Sequence, residues 1–233
     1  MTTPLAGSSP LKDAAFAAAA RTLAAAVPKG VAATVDAMWA ATAAAEALWA
    51  ETRTTPSFAL GTPPAACKRG CGWCCHQPVG ALALEVLAIA EALPAEARAR
   101  LDAWQPGRPC AFLDAGACTI YELRPLKCRS LYHLDVRHCM QAYAGMAVPL
   151  MGPKPSAAHQ EPPMDVFTGT LMGAANALWR AGRDCPGVEF MPALKAAAAR
   201  PDATAAWWRG DAVFPADARL DWFPKPAKGR RRR

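Results

Sequence analysis

"CKRGCGWCCHQP", residues 67–78, sets four cysteines within nine positions, two of them adjacent. Spacings of four, three and one place all four sulfurs within about 100° of one face if the segment is helical. If Gly70 and Gly72 instead make it a turn, it becomes a knuckle with backbone N–H groups aimed at sulfur. Either geometry converges the thiols. Gathered thiolates repel one another and are costly as bare buried charges, so a cation belongs among them, and soft sulfur selects zinc, copper(I) or an iron–sulfur cluster. Two other uses of sulfur compete. A chain of 233 residues can build its core without disulfide staples. Inert packing suits a lone cysteine, but not Cys74 beside Cys75, because two adjacent side chains cannot share one packing pocket.

Outward from this quartet come Cys110, Cys118, Cys128 and Cys139, so eight of the nine cysteines fall within 73 residues. Cys185 stands apart in "GRDCPG", which reads as an exposed turn. The N-terminus "MTTPLAGSSPLKDAAFAAAARTLAAAV" has no basic region ahead of its apolar part, which Lys12, Asp13 and Arg21 interrupt. No secretory signal is expected, and the default compartment is the cytoplasm. There thiols stay reduced, which favours metal ligands over disulfides. No stretch reaches the about 18 consecutive apolar residues of a membrane helix, so no membrane association is expected.

The net charge of +7 suggests nucleic acid until it is located: Lys225, Lys228 and Arg230 to Arg233 supply six of those charges. The body is nearly neutral, with no basic stripe for a duplex, so no specific nucleic-acid partner is expected. Alanine-rich runs such as "AAFAAAARTLAAAV" favour helix. The predicted fold is mostly α, an irregular helical domain with a small β-hairpin, organised around a cysteine-rich metal centre.

Along the chain, residues 1–10 read as a disordered lead and 11–60 as an N-terminal helical hairpin, with helices over 11–27 and 30–53. The second helix carries Val31, Val35, Met38, Ala45 and Trp49 on one face, with Thr42 as a polar interruption. Residues 61–145 read as the cysteine-cluster module. Within it a helix spans 82–93, with Leu82, Val86, Ile89 and Leu93 inward. Pro94 starts a further helix to Trp104. A hairpin within 105–120 is the only β element expected. Residues 146–224 are the C-terminal helical part of the same domain, with loop over 147–164 and helices over 165–182 and near 192–200. Phe167, Leu171, Ala174 and Leu178 form the inner face of the first of these. Residues 225–233 are a basic tail.

"CKRGCGWCCH", followed by an apolar helix and then "PCAFLDAGACTIYELRPLKCRS", resembles the YkgJ-type cysteine-cluster family, the zinc- or iron-chelating CxxCxxCC domain of bacterial proteins. The likeness covers about residues 64–140. It rests on the quartet, Pro109-Cys110 with Phe112-Leu113, Cys118 before Ile120-Tyr121, and Arg124-Pro125 before Cys128-Arg129. The first spacing here is three residues where the family's name has two. The resemblance implies metal chelation by Cys67, Cys71, Cys74, Cys75, Cys110, Cys118 and Cys128, with an iron–sulfur cluster or zinc as the cofactor. A similar cluster occurs in flagellin lysine methylases. Seven thiols do not divide into two four-coordinate sites, and Cys139 is the natural eighth ligand. His76 and His138 compete for that place.

Arg124, Lys127 and Arg129 either balance thiolate charge or face water. Trp73 either shields the centre or packs in the core, and Tyr121 and Tyr132 are weaker candidates as acids. Nucleotide-binding glycine motifs, H-E-x-x-H and G-x-S-x-G are absent. Two functions follow. In one the metal is structural, and the alanine-rich helices or Trp207-Trp208 meet a protein partner. In the other the centre is redox-active or open, and the protein modifies a substrate; metal identity separates the two.

Overall fold

The computed structural model of the protein describes residues 9–56, 68–131, 136–137, 140 and 157–220. Cys67, Tyr132, His138 and Cys139 lie outside these residues, as do residues 1–8 of the expected lead and the whole tail.

Helix α1, Pro10–Ala26, starts where the sequence supplies both an N-cap and a preset φ: the Ser9 hydroxyl accepts the Lys12 N–H at 3.1 Å, and Pro10 occupies the first turn. A short 3-10 turn, Val27–Lys29, leads to Gly30 at φ +104°, which only glycine adopts without strain, and the chain reverses into α2, Val31–Thr54. Thr34, Val35, Ala37, Met38, Ala41, Thr42 and Ala45 are the buried residues of α2. Thr42 is tolerated there because its hydroxyl donates to the Met38 carbonyl at 3.0 Å.

The long helix α6, Ala157–Arg180, lies along α1. Gly169 and Gly173 allow this approach. A methyl group at Gly169 would meet the Lys12 carbonyl oxygen at 2.5 Å, and one at Gly173 would collide with the Phe16 carbonyl. Ala15 and Ala19 of α1 face the same seam. The expected inner face of α6, Phe167, Leu171, Ala174 and Leu178, is buried. Its start is a correction: residues 157–164, read as the end of a loop over 147–164, are helical. Proline φ is already helical; as the sixth and seventh residues of the helix, Pro162 and Pro163 each forgo one bond, to the carbonyls of Ala158 and His159, and the helix continues past them.

Helix α3, Ala83–Ala92, is the centre of the molecule: every residue from Ala83 to Ala90 is buried. A helix apolar on all sides belongs inside. Leu84 and Ala88 join a cluster with α1, α2 and α6, and Val86, Leu87 and Ile89 join a second cluster with Phe112, Phe190 and Leu194. Helix α4, Ala95–Ala103, follows Pro94, as expected. A five-residue helix α5 spans Leu126–Ser130, α7 spans Phe190–Ala198, and α8 spans Ala203–Arg209.

The predicted hairpin forms between β2, Leu113–Asp114, and β3, Ala117–Cys118, pairing Leu113 with Cys118. Its two turn residues, Ala115 and Gly116, both have positive φ, +46° and +79°, matching the right-handed strand twist. It is not the only β element. A three-stranded antiparallel sheet also forms, in the order β1 (Gly80–Leu82), β4 (Gly187–Glu189), β5 (Arg219–Leu220). Strands of two or three residues carry no alternation to read, and the β1–β4 pairing joins residues more than a hundred positions apart. The architecture is mostly helical with small antiparallel sheets, and no described helix is long and apolar enough to cross a membrane.

Candidate metal centre

Residues 68–77 fold as the knuckle, not as a continuous α-helix. Gly70 sits at φ +94°, the Cys71 N–H donates to the Lys68 carbonyl at 3.0 Å, and a 3-10 turn spans Trp73–His76. Gly72 is needed for contact: a Cβ there would lie 2.5 Å from Leu113 Cδ1 and 2.9 Å from the Gly116 oxygen. The knuckle therefore rests on the β2–β3 hairpin. A backbone bond from the Cys110 N–H to the Cys75 carbonyl, 2.8 Å, ties the next cysteine to it. Cys118 sits on β3 and Cys128 on α5.

These three segments bring Cys71, Cys74, Cys75, Cys110, Cys118 and Cys128 to the wall of one cavity of about 220 Å³. The Cys74 and Cys75 thiols are hydrogen-bonded to one another, and Cys75 to Cys110. Cys110 Sγ in turn donates to Met191 Sδ at 3.6 Å. Among the described residues, no three Cys, His, Asp or Glu side chains already stand at a spacing that would hold one ion. The thiols share a cavity, and side-chain rotation would have to complete a coordination shell.

Crowding and burial also raise the thiols. The hydrogen bond to Cys110 and burial push the Cys75 thiol up to about 12. Cys74 is raised by its bond to Cys75 and by burial, Cys118 by burial, and Cys128 by burial and then by charge at Cys74 and Cys75. Crowded, half-buried thiols hold their protons until a cation replaces them.

Arg124 is the cation that opposes this. It lines the cavity and favours the thiolate at Cys74, Cys118 and Cys128. Its guanidinium lies 3.5 Å from the centre of the Tyr121 ring, and its Nε donates to the Tyr121 carbonyl at 2.9 Å. Arg129 has mainly another task. It is 8% exposed and donates to the carbonyls of Arg124 and Glu122, and it pairs with Glu46 of α2. It thereby fastens the Cys128 helix to the helical body. Lys127 is half-buried and does not line the cavity.

His76 and Tyr121 line the cavity. Trp73 does not, its ring standing 6.1 Å from that of His76; the indole in the wall is Trp104, which donates to the Pro109 carbonyl at 2.9 Å. Sequence reading also missed Glu85, 4% exposed, which accepts the Leu126 N–H at 2.5 Å and so anchors the start of the Cys128 helix. Burial raises its carboxyl to about 7. A lone glutamate inside "ALALEVLAIA" was the available signal, since such a residue is buried only with partners.

Cys185 corrects an expectation. It is fully buried beside α3, with its thiol raised to about 12 by burial, and it does not line the cavity. The turn "GRDCPG" leads directly into β4, and pairing with β1 carries it inside. The Trp207-Trp208 pair, expected to offer a surface, is half-buried against the core, with Arg183 stacked 3.9 Å over Trp208.

The donor set, six thiols in a wall that also carries Lys68, Arg108 and Arg124, fits a thiophilic ion. Residues 66–143 match the CxxCxxCC family model. Its description is "Putative zinc- or iron-chelating domain", and the match covers about a third of the chain. No curated protein and no solved structure matches the chain. All six described cavity cysteines fall within the CxxCxxCC segment; α1, α2 and α6 to α8, which pack around it, lie outside.

Proposed function

We propose that the protein holds a cysteine-ligated metal centre, iron–sulfur or zinc, built from Cys71, Cys74, Cys75, Cys110, Cys118 and Cys128 with Cys67 and Cys139. The observation that carries this reading is the convergence of six thiols from three chain segments on one cavity. The compartment that keeps such thiols reduced is the cytoplasm. A cavity admits one water from about 10–15 Å³, so 220 Å³ leaves room beyond a lone ion. That space favours an iron–sulfur centre, or one with an open position, over a closed four-thiolate zinc site. An iron–sulfur centre supplies redox chemistry, and protein modification is the activity in keeping with it.

Purification without oxygen, with analysis of iron, zinc and acid-labile sulfide and a visible spectrum, tests the proposal. A brown protein with stoichiometric iron and sulfide supports the redox reading. Colourless protein with stoichiometric zinc moves it to a structural site serving a protein partner. Protein that binds neither metal in reducing buffer refutes chelation.

A further inference from the structure

We infer that Met191 is a sulfur donor to this centre, contributed from outside residues 66–143, and that with Cys110 it forms a two-sulfur edge suited to a soft monovalent ion, copper(I). The inference rests on the metal reading of the cavity and extends its donor set.

The geometry comes first. Cys110 Sγ and Met191 Sδ stand 3.6 Å apart, and both residues line the cavity. Two sulfurs bound at about 2.3 Å to one tetrahedral ion are separated by about 3.8 Å, so this pair is already near the spacing of two ligands. Met191 is 9% exposed, and its backbone is pinned. The preceding Phe190 N–H donates to the Val79 carbonyl at 2.7 Å, and Glu189 pairs with Gly80 across β1 and β4. Val79 follows the Trp73–His76 turn of the cysteine knuckle by three residues, so the sheet that holds Met191 also holds the knuckle.

The chemistry decides which ion the pair prefers. The Cys110 S–H donates to the thioether. When an ion binds, the S–H bond of Cys110 breaks, its proton leaves to solvent, and a sulfur–metal bond forms, freeing the Met191 lone pair that had accepted the proton. Zinc is bound by thiolate, imidazole and carboxylate, whereas copper(I) also takes thioether. A neutral thioether adds a donor without another buried negative charge.

The ordinary role for a methionine here is gap-filling, and a volume-conserving change separates the roles. Wild type and Met191→Leu are titrated without oxygen with copper(I) against a copper(I) chelator, and with zinc against a zinc chelator. Copper(I) affinity is expected to fall at least about tenfold in the variant while zinc affinity stays within about twofold. Unchanged copper(I) affinity overturns the inference. So does an equal loss for both ions, which marks packing, or wild type that binds zinc and not copper(I). Wild type that binds neither ion also overturns the inference, while the metal reading itself stands or falls separately on the iron and acid-labile sulfide of the anaerobically purified protein.

Discussion

Glu85→Gln tests how the cysteine module is fastened to the helical body. Glu85 sits at the start of α3 with one carboxyl oxygen on the Leu126 N–H, 2.5 Å, and the other 3.4 Å from the Leu82 N–H. Burial raises its carboxyl from 4.5 to about 7, while those two N–H groups and the charge of Arg129 pull the other way. A carboxyl raised on folding favours the folded state fully below its unfolded value, and that advantage is lost as pH rises through its folded value. At about 1.4 kcal/mol per pH unit, the whole loss is about 3 kcal/mol, of which about 2.5 kcal/mol falls between about pH 5 and pH 8. Glutamine keeps the shape and the acceptor for Leu126 but cannot ionise. Denaturant unfolding of both proteins at the two pH values isolates the effect, because contributions of all other groups cancel in the difference. The wild type is expected to lose about 2.5 kcal/mol more than the variant on going from about pH 5 to pH 8. Parallel behaviour of the two proteins would refute a buried, ionisable anchor at this position.

Cys74→Ser is expected to lose bound metal and solubility together, since one ligand fewer leaves the neighbouring thiolates uncompensated; metal analysis of the soluble fraction checks it. Cys185→Ser should keep its metal, and native Cys185 should resist a thiol reagent until the protein unfolds, because it is fully buried. Gly173→Leu drives a side chain into the Phe16 carbonyl. It should cost at least about 1–3 kcal/mol in a denaturant titration. Because Cys74, Cys75, Cys118 and Cys128 hold their protons more tightly than ordinary thiols, metal must displace protons. Metal affinity should therefore rise with pH from 6 to 8, with proton release measured by calorimetry in buffers of different ionisation enthalpy.

Helices were legible wherever period and punctuation agreed. Pro94 opens α4 where the sequence marks it, and the inner face read for α6 is buried, whereas α1 starts at Ser9-Pro10, inside the stretch read as a lead. The three-stranded sheet was not legible, because Gly80–Leu82 and Gly187–Glu189 have no pattern and are defined only by pairing. The same pairing hid the placement of two residues. Met191 reaches the cavity because β4 places the start of α7 there, and Cys185 turns inward because β4 follows it. Cysteine spacing pointed to six of the residues that line the cavity, since thiol density is itself the signal. Arg124 and Arg129 looked equivalent in "ELRPLKCRS", and only the structure shows Arg124 in the cavity wall and Arg129 paired with Glu46 of α2.

X-ray absorption at the edge of the metal found in anaerobically purified protein tests the central claim most directly, because it counts the atoms around the ion. The account predicts a first shell dominated by sulfur at about 2.3 Å. A shell of nitrogen or oxygen at about 2.0–2.2 Å without sulfur would contradict it.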